Sequence, residues 1–514
     1  MIRLGVDVGG TNTDAVLIEG KNILATTKQA TTDDIQTGIV NAITKVVKSS
    51  RIKMTNIDYC MIGTTQFTNA FVQRQELNSV AIIRLGLPAA AALPPLSGWQ
   101  NELKDAFEHK TYMLQGGHHF DGKVNSDLNE MQLDEAIQDI LLEGYPAVTI
   151  CSIFSPINQD FELLVENKIK QVAPHIRLSL SHQIGRVGLM ERENSAIMNA
   201  SLACLADKVV NAFENSLSSL GVTAPLYITQ NDGTLMSADA VRKYPVMTFA
   251  SGPTNSMRGA AFLSGLKDAI VADIGGTTTD IGMLQDGFPR ESSVHVDIGG
   301  VRTNFRMPDI IALGLGGGSI IDPLSNFSIG PQSVGYKLLQ QGKSFGGTHL
   351  TTTDIAIKRN YIQITGSEPN NVSLTEQTLK KIENNIDALL VSGLDQIKTS
   401  SAEVPLILVG GGHCIIKNTP KGISKMISPK HAEVANAIGA SIGQVAGEIE
   451  HFFEYQTQPR EECIAQAKQM AIDKAIIAGA IASTVSILDI QEIPLSYVKG
   501  QATRIKVKAT GQLF

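Results

Sequence analysis

The octapeptide DVGGTNTD at residues 7–14 recurs almost unchanged as DIGGTTTD at residues 273–280. Apolar segments flank both copies, IRLGVDV and DAVLIEG in the first case and DAIVADI and DIGMLQDG in the second. Short apolar runs on either side of a Gly/Thr-rich turn predict two strands joined by a polar loop. A strand-loop-strand unit that occurs in both halves of the chain indicates a duplicated domain.

The length and composition fit a multidomain globular protein. With 514 residues, the chain exceeds the size of one ordinary hydrophobic core. Hydrophobic residues make up 43% of the chain and charged residues 18%, which differs from the composition of disordered chains. We expect a first lobe at residues 1–200, a second lobe at 201–430, and a returning helix with a C-terminal helix and β-rich tail at 431–514 that packs on the first lobe.

Strands alternate with helices after each octapeptide. A helical pattern at about 34–50 follows the first copy, and the apolar strand AVTICSIF follows a helical pattern at about 131–143. This alternation predicts an α/β fold with mixed sheets covered by helices. In the second half, the strand PLILVGGGH at 405–413 ends in a third glycine cluster.

Charge and hydropathy exclude several classes of function. The net charge of -7 comes without any run of Lys or Arg, so no nucleic-acid partner is expected. No apolar run reaches the roughly 18 residues of a membrane span, and no cleavage pattern follows the N-terminus, so we predict a cytoplasmic protein without a membrane partner. The five cysteines are widely spaced and are predicted to be free buried thiols.

The octapeptides have the chemistry of phosphate-binding loops, because backbone N–H groups of a Gly-rich turn approach phosphate without side-chain collision and Thr adds hydroxyl donors. The residues predicted to bind a nucleotide are Gly9, Gly10, Thr11, Asn12 and Thr13 in the first loop, Gly275, Gly276, Thr277 and Thr278 in the second, and Gly410, Gly411 and Gly412 near its base and sugar. Asp7 and Asp273 end the preceding strands, where a carboxylate suits a Mg²⁺ ion that bridges to phosphate.

Two segments with small residues every four positions are predicted to be helices that cross closely. Ala196, Ala200 and Cys204 form one such stripe, and a second runs from Ala435 through Gly439 and Gly443 to Gly447. Residues four apart share one face of a helix, and small residues there let another backbone approach. Two thin helices in a crowded core are the alternative interpretation.

Nine motifs, in order along residues 5–440, carry a resemblance to a known family. They are GVDVGGTNTD (5–14), IGTTQFTNA (62–70), SLSHQIGRVGLMEREN (179–194), SGPTNSMRGA (251–260), VADIGGTTTD (271–280), ALGLGGGSI (312–320), IGPQSVG (329–335), GGTHLTTTD (346–354) and ANAIGA (435–440). The chain resembles the A-type subunit of the hydantoinase/oxoprolinase family, within the actin, hexokinase and heat-shock chaperone ATPase superfamily.

The resemblance implies two duplicated actin-like ATPase lobes, with ribonuclease H-like mixed sheets, around a nucleotide cleft. It implies ATP and Mg²⁺ as cofactors and the ATP-dependent opening of a cyclic amide such as a hydantoin, 5-oxoproline or a lactam, or the activation of a related carbonyl compound. Phosphoryl transfer to the amide or carbonyl oxygen is the expected chemistry. The expected catalytic residues are Asp7, Asp273 and Asp280, with Asp7 and Asp273 at the metal and Asp14 as a further support. Which aspartate acts as a base is left open.

Two groups of side chains are candidates for substrate contact. Thr64, Thr65 and Asn69 follow the end of a strand, where α/β proteins place ligand contacts. Arg192 and Glu193 open a helix, where helix capping and salt bridging is one interpretation and substrate contact, which the resemblance favours, is the other.

The resemblance also implies a partner, because in this family part of the reaction commonly resides on a B-type subunit. The chain departs from the family pattern at Asn12, where an aromatic residue is frequent, and in SGPTNS, where SGPAGG is usual, so the substrate is left open. A homo-oligomer is also left open. The alternatives are a small-molecule kinase of the same fold and a nucleotide-dependent regulatory or binding module.

Two further Gly-rich segments allow two interpretations each. GGHHFDG at 116–122 brings His118, His119 and Asp121 close together, but neighbouring histidines point to opposite sides of a strand, which favours a polar turn over a metal site. The run Gly314 to Ser319 is either a third phosphate loop or a close-packed turn near the nucleotide.

Overall fold

The computed structural model describes residues 1–9, 12–30, 35–292, 294–495 and 502–513. The strands in this part of the chain are β1 (Ile2–Val8), β2 (Asn12–Glu19), β3 (Asn22–Ala30), β4 (Tyr59–Thr64), β5 (Val80–Leu87), β6 (His109–Gln115), β7 (Ala147–Ser152), β8 (Arg177–Leu180), β9 (Leu226–Thr229), β10 (Thr234–Ser237), β11 (Ala269–Ile274), β12 (Thr279–Gln285), β13 (Phe288–Pro289), β14 (Val296–Ile298), β15 (Val301–Thr303), β16 (Ile310–Leu313), β17 (Ser319–Asp322), β18 (Ser328–Ser333), β19 (Val404–Val409), β20 (Ile423–Ile427), β21 (Gln444–Glu454), β22 (Ser486–Pro494) and β23 (Ala502–Gly511).

The α-helices alternate with these strands along much of the chain. They are α1 (Ile35–Ser50), α2 (Gln66–Gln73), α3 (Asn101–Lys104), α4 (Glu130–Glu143), α5 (Asp160–Val172), α6 (Ser181–Ile184), α7 (Leu189–Ser201), α8 (Ala203–Ser219), α9 (Ala238–Lys243), α10 (Ser251–Ser264), α11 (Leu338–Gln341), α12 (Thr352–Lys358), α13 (Glu376–Ile397), α14 (Ala435–Ser441) and α15 (Arg460–Ile477). In the described part of the chain, no helix combines the length and apolar character needed to cross a membrane.

The first octapeptide lies in a nine-stranded sheet with the order β22-β23-β21-β10-β9-β4-β1-β2-β3. Strand β1 pairs antiparallel with β2 and parallel with β4, and β4 pairs parallel with β9. The apolar side chains of β1, Leu4, Val6 and Val8, are buried in the largest core cluster. Burial of both neighbours of Asp7 fixes the register of this strand, since a shift by one residue would exchange its two faces.

The second octapeptide repeats this arrangement in a separate sheet, with the order β13-β12-β11-β19-β20 and with β16 also paired to β12. Strand β11 pairs antiparallel with β12 and parallel with β19, as β1 does with β2 and β4. Strands β13 and β16 together take the place of β3. The predicted α/β fold with a duplicated strand-loop-strand unit is therefore confirmed.

A third sheet comes from the first half of the chain, between β4 and β9. It contains four strands in the order β6-β5-β7-β8, and all neighbours are parallel. Its core is formed by Ile83, Leu85, Val148 and Ile150 on the strands and by side chains of α4 and α5. Parallel strands connected through helices place their carboxyl ends on a common edge, where ligands bind in α/β proteins.

The C-terminal segment returns to the nine-stranded sheet. Strand β21 pairs parallel with β10 and antiparallel with β23, and Ala467, Ala471 and Ala475 of α15 are buried against them. The prediction of one helix from Ala435 to Gly447 is wrong, because α14 ends at Ser441 and β21 begins at Gln444. A Cβ at Gly447 would collide with the backbone of α15, so this glycine serves close packing from a strand. The predicted domain boundaries stay predictions.

A close crossing does exist, but α14 crosses α10 instead of α7. A Cβ on Gly439 of α14 would collide with the backbone oxygen of Asn255, and one on Gly259 of α10 would collide with that of Ala435. On the other side of α14, a Cβ on Gly5 of β1 would collide with the backbone oxygen of Ala437. Glycine at these positions lets α14 lie in backbone contact with both β1 and α10.

Replacing Gly259 by Ala should therefore lower the free energy of unfolding by about 3 kcal/mol, because the methyl group meets backbone that can yield only if α14 moves. Gly252→Ala in the same helix is the matched control. Its Cβ would lie 3.3 Å from the Thr65 Cγ2 methyl, which can give way, so its effect should stay within about 1 kcal/mol. Midpoints of urea denaturation compare the two variants, and equal midpoints would contradict the crossing described above.

Candidate functional site

The two octapeptide loops have the same backbone hydrogen bond. The N–H of Gly9 donates to the carbonyl of Asn12 at 3.0 Å, and the N–H of Gly275 donates to the carbonyl of Thr278 at 2.8 Å. Each loop is closed by a pair of aspartates on opposite strands, Asp7 with Asp14 and Asp273 with Asp280.

Both loops line one cavity of about 200 Å³ between the sheets. Its walls combine glycines and small polar side chains with one lysine and three acids: Gly9, Asn12, Asp14, Lys28, Ser256, Asp273, Gly275, Gly276, Thr277, Gly410, Gly411, Glu433, Ala435 and Asn436. Gly10 and Thr11 lie outside the described residues. The remaining candidates are Thr13, which is buried in β2, and Thr278 and Gly412, which border the second loop.

The carboxylate of Asp7 is buried, and its Oδ2 accepts a hydrogen bond from Nδ2 of Asn436 at 2.9 Å. Burial, helped by the negative charge of Asp14, raises the pKa of Asp7 to about 7. The buried Asp14 is paired with Lys28, whose Nζ lies 2.8 Å from its Oδ2. Burial raises the pKa of Asp14 too, although the charge of Lys28 works against that shift.

The second pair of aspartates, Asp273 and Asp280, is half-buried, whereas Asp7 and Asp14 are buried. Burial raises the pKa of Asp273, and the Ser256 hydroxyl and the charge of Lys28 oppose the shift. Burial and the neighbouring Asp273 raise the pKa of Asp280 to about 7. Lys28 thus acts on aspartates from both loops, and this cleft concentrates carboxyl groups whose ionisation is unfavourable without further positive charge.

The glycine run after β19 packs on the second loop. A Cβ at Gly410 would collide with Oδ1 of Asp273, and the N–H of Gly412 donates to the carbonyl of Ile274 at 2.7 Å. Gly411 is exposed and lines the cavity. These glycines therefore hold the strand end against Asp273 and leave backbone of this segment accessible to a ligand.

The run Gly314 to Ser319 is the close-packed turn. The N–H groups of Gly317 and Gly318 donate to the carbonyls of Gly275 and Gly276, at 2.9 and 2.7 Å. Both N–H groups are buried and engaged, so they are not free to bind phosphate. This run supports the second loop from behind.

Among the substrate candidates, Thr64 lies beside the first loop, since it is the last residue of β4 and pairs with Val8. Its backbone carbonyl accepts a hydrogen bond from the hydroxyl of Ser251 at 2.7 Å. Thr65 is the N-cap residue of α2, and Nδ2 of Asn69 within that helix donates to its Oγ1 at 3.4 Å.

Arg192 and Glu193 lie elsewhere, fully buried in α7. Glu193 forms an ion pair with the buried Arg84. The guanidinium of Arg192 donates to the hydroxyl of Ser181 at 2.9 Å and to the carbonyls of Ser152 and Val187 at 2.6 and 2.8 Å. The structure does not bring this pair together with the phosphate-loop cavity.

The sequence analysis did not identify Lys28, Ser256 and Asn436 as residues of the cleft. Lys28 stands opposite Asp14 on β3, so the register of the β2–β3 hairpin would have placed it there. Ser256 and Asn436 belong to the motifs SGPTNSMRGA and ANAIGA, whose positions in the cleft depend on the crossing of α10 and α14.

The donor set fits a Mg²⁺ ion that shares its coordination with phosphate and water. In the described residues, no group of three or more His, Cys, Asp or Glu side chains could by itself hold a metal ion. Mg²⁺ usually takes one or two carboxylates and fills its remaining positions with phosphate oxygens and water. Oδ1 of Asp7 and Oδ1 of Asp14 are buried and lack a hydrogen-bond partner in the described structure.

The GGHHFDG segment is a polar turn, as predicted. His118 is buried and stacks on Phe161, whereas His119 is exposed and closes the turn through its N–H to the carbonyl of Lys123 at 2.8 Å. All five cysteines are free, and Cys60, Cys151 and Cys463 are buried as predicted, but Cys414 is half-buried and Cys204 is exposed.

Two family models match most of the chain. The model described as hydantoinase/oxoprolinase N-terminal region matches residues 3–173, and the model described as hydantoinase/oxoprolinase matches residues 192–397. The chain is 23% identical over 399 residues to a caprolactamase subunit alpha of Pseudomonas jessenii and 25% identical over 392 residues to an acetophenone carboxylase gamma subunit of Aromatoleum aromaticum. Each match covers 70% of this chain and 54% or 53% of the relative, so the chain spans about half the length of these curated relatives.

Solved structures share the fold. The ATP-dependent caprolactamase from Pseudomonas jessenii matches with a TM-score of 0.79 at 18% identity, and a nucleotide-free acetone carboxylase matches with a TM-score of 0.68 at 15% identity. Each match covers 100% of this chain and 88% of the other.

The raised pKa values predict how stability depends on pH. Asp7 is ionised in the unfolded chain above its ordinary pKa of 3.8 but in the folded protein only above about 7. Folding therefore becomes less favourable as pH rises between these values, by up to a few kcal/mol. Without nucleotide and Mg²⁺, Asp7→Asn should raise the urea midpoint more at pH 8 than at pH 5.

The exposed Asp105 provides the control, since Asp105→Asn should shift the midpoint little at either pH. An Asp7→Asn variant that is less stable than the wild type at pH 8 would contradict the predicted cost of ionising Asp7.

Proposed function

Because the chain belongs to the hydantoinase/oxoprolinase family, we propose that it binds ATP with Mg²⁺ and activates a cyclic amide, or a related carbonyl compound, by phosphoryl transfer. The observation that carries this proposal is the pair of matching Gly/Thr loops on the walls of one cavity, which is also lined by one aspartate of each pair, Asp14 and Asp273. Backbone N–H groups and hydroxyl groups of both loops can surround a polyphosphate from two sides.

The names of the similar proteins support this proposal. One similar structure is an ATP-dependent caprolactamase, and a caprolactam is a cyclic amide. The other similar structure comes from work on ATP-dependent acetone carboxylation, in which a carbonyl compound is the substrate. Phosphorylation of an amide oxygen provides a leaving group that an unactivated amide lacks, which makes the carbon open to attack by water.

Each part of the cleft has a distinct proposed role. Lys28 neutralises phosphate charge, and Asn436 orients the carboxylate of Asp7. A Mg²⁺ ion, when bound by Asp7 and Asp273 with water, stabilises the charge that develops on the transferred phosphoryl group. Asp280 supports Asp273 from the opposite strand.

We also propose a partner subunit. The two curated relatives are named as an alpha and a gamma subunit, which supports a partner for this chain. A cytoplasmic location stays a prediction.

Product analysis tests the proposal. The chain is incubated with MgATP and a panel of hydantoin, 5-oxoproline and lactams, with and without a candidate partner subunit. ADP, inorganic phosphate and the opened ring support amide activation. A stable phosphorylated compound would indicate a kinase instead, and nucleotide binding without substrate-stimulated turnover would indicate a regulatory module. A chain that binds neither ATP nor ADP refutes the proposal.

Asp7→Asn and Asp273→Asn should each reduce nucleotide-dependent turnover by a factor of about 10² or more, because the neutral amide cannot hold Mg²⁺ and its water with the same strength. Asp286→Asn is the matched control, since Asp286 is exposed in the turn that follows Asp280 and β12. Turnover is measured as ADP release. Full activity of either variant at Asp7 or Asp273 would argue against paired loops.

A further inference from the structure

A buried histidine–glutamate pair lies outside the phosphate-loop cleft. Nδ1 of His182 is 2.6 Å from Oε2 of Glu162. Glu162 is fully buried, and it also accepts hydrogen bonds from the N–H of Ser152 at 2.9 Å and from the hydroxyl of Ser181 at 2.5 Å. With Nδ1 engaged, Nε2 is the ring nitrogen left without a hydrogen-bond partner among the described residues.

The location of this pair is one where α/β proteins bind ligands. Ser152 ends β7, and Ser181 and His182 directly follow β8, so the pair lies at the carboxyl edge of the parallel four-stranded sheet. Glu162 reaches this edge from the first turn of α5. Carboxyl edges of parallel strands are the usual ligand sites of such sheets.

Two adjoining cavities, of about 460 and 780 Å³, open at His182. They share the wall residues His182, Gln183, Gly185, Arg186, Tyr244, Glu450 and Lys474, and we refer to them together as the dyad cavity. None of its wall residues lines the phosphate-loop cavity. The hydroxyl of Tyr244 donates to Oε1 of Gln183 at 2.6 Å and orients that side chain.

Most charged residues on the walls of the dyad cavity are in ion pairs, and the cations Lys474 and Arg186 are the ones available to an anionic group. Lys474 donates to the carbonyl of Glu448 at 2.9 Å and has no carboxylate within ion-pair distance in the described structure. Nη2 of Arg186 lies 3.4 Å from Oε2 of Glu291, which is a long distance for an ion pair. Among the acids on the walls, Glu450 is paired with Arg504 at 3.2 Å.

Two other wall acids, Asp232 and Glu448, are also in ion pairs, with Lys508 and with Arg306 respectively, and Asp160 is exposed at the rim. The wall cations with the weakest pairing are thus Lys474 and Arg186.

The dyad cavity and the phosphate loops share one edge of the nine-stranded sheet. Asp232 follows β9, Thr64 ends β4 and Asp7 lies at the end of β1, and these three strands are parallel neighbours. Neighbouring strands lie about 4.8 Å apart, so the ends of β1 and β9 are about 10 Å apart. A compound in the dyad cavity is therefore at the same sheet edge as the proposed phosphate site, and its carbonyl oxygen meets the terminal phosphorus when the phosphate chain extends from the loops across the end of β4 toward β9.

We propose that the dyad cavity holds the cyclic amide, with an anionic group of that compound at Lys474 and Arg186 and its N–H at Nε2 of His182. The assignment of the ligand rests on the proposed function. As the carbonyl oxygen bonds to the terminal phosphorus and the bond from phosphorus to ADP breaks, the N–H proton passes to Nε2 and its electron pair becomes the second bond of C=N. Glu162 stabilises the imidazolium formed.

Protection of His182 from diethyl pyrocarbonate tests the binding step without any nucleotide. The reagent modifies accessible imidazole nitrogen, and mass spectrometry reports each histidine separately. We expect 5-oxoproline, a lactam with a carboxylate, to protect His182. The concentration of 2-pyrrolidone, the same ring without the carboxylate, that gives equal protection should be about ten-fold higher. The exposed His119 is the internal control and should react equally throughout.

Lys474→Met should also raise the 5-oxoproline concentration needed for protection by about ten-fold, a factor that corresponds to the loss of one favourable ion pair. Lys468→Met, in the same helix but outside the dyad cavity, should match the wild type. Equal protection in Lys474→Met and wild type, no protection by 5-oxoproline, or no reaction at His182 would each overturn the proposal. Because ATP is absent, a failure of ATP turnover would leave this result unaffected.

Discussion

The architecture depends on two pairs of facing aspartates at the mouths of two Gly/Thr hairpins, one pair buried and the other half-buried. Hairpin register places Asp7 opposite Asp14 and Asp273 opposite Asp280, where side chains on neighbouring strands share one face. Like charges at such positions repel each other and resist ionisation. Lys28 and Asn436 lie beside the carboxyl groups of the first pair and lower the free energy needed to ionise them. A bound cation would lower that free energy further.

Much of the surrounding structure keeps these hairpins in place. Glycines in β1, α10 and α14 allow three backbones to meet behind the first loop, and the buried run after Gly314 supports the second loop through backbone hydrogen bonds. The C-terminal strands β21 and β23 widen the first sheet, and α15 covers them with alanines. Such close packing suits a site in which backbone groups do the binding, since their positions depend on the rigidity of the elements behind them.

Local patterns made the hairpins and their duplication predictable from the sequence, because a polar Gly/Thr turn between apolar runs has few other interpretations. The small-residue stripe was predicted less well. A spacing of four places residues on one face of a helix, but residues four apart also share one face of a strand. Gly443 directly precedes β21, and Gly447 lies within it. The position of Lys28 could have been found from the register of the β2–β3 hairpin. The burial of Arg192 and Glu193 depends on the packing of α7 on the four-stranded sheet, which is not visible in a single sequence.

The central claim is that one nucleotide is held by both loops at once. A crystal structure with Mg²⁺ and a non-hydrolysable ATP analogue tests it most directly. The account predicts phosphate oxygens within about 3.2 Å of backbone nitrogens in both the 7–14 and the 273–280 loops, with the metal ion between Asp7, Asp273 and the phosphates. Phosphates that contact only one loop, or an analogue bound outside the cleft, would contradict it.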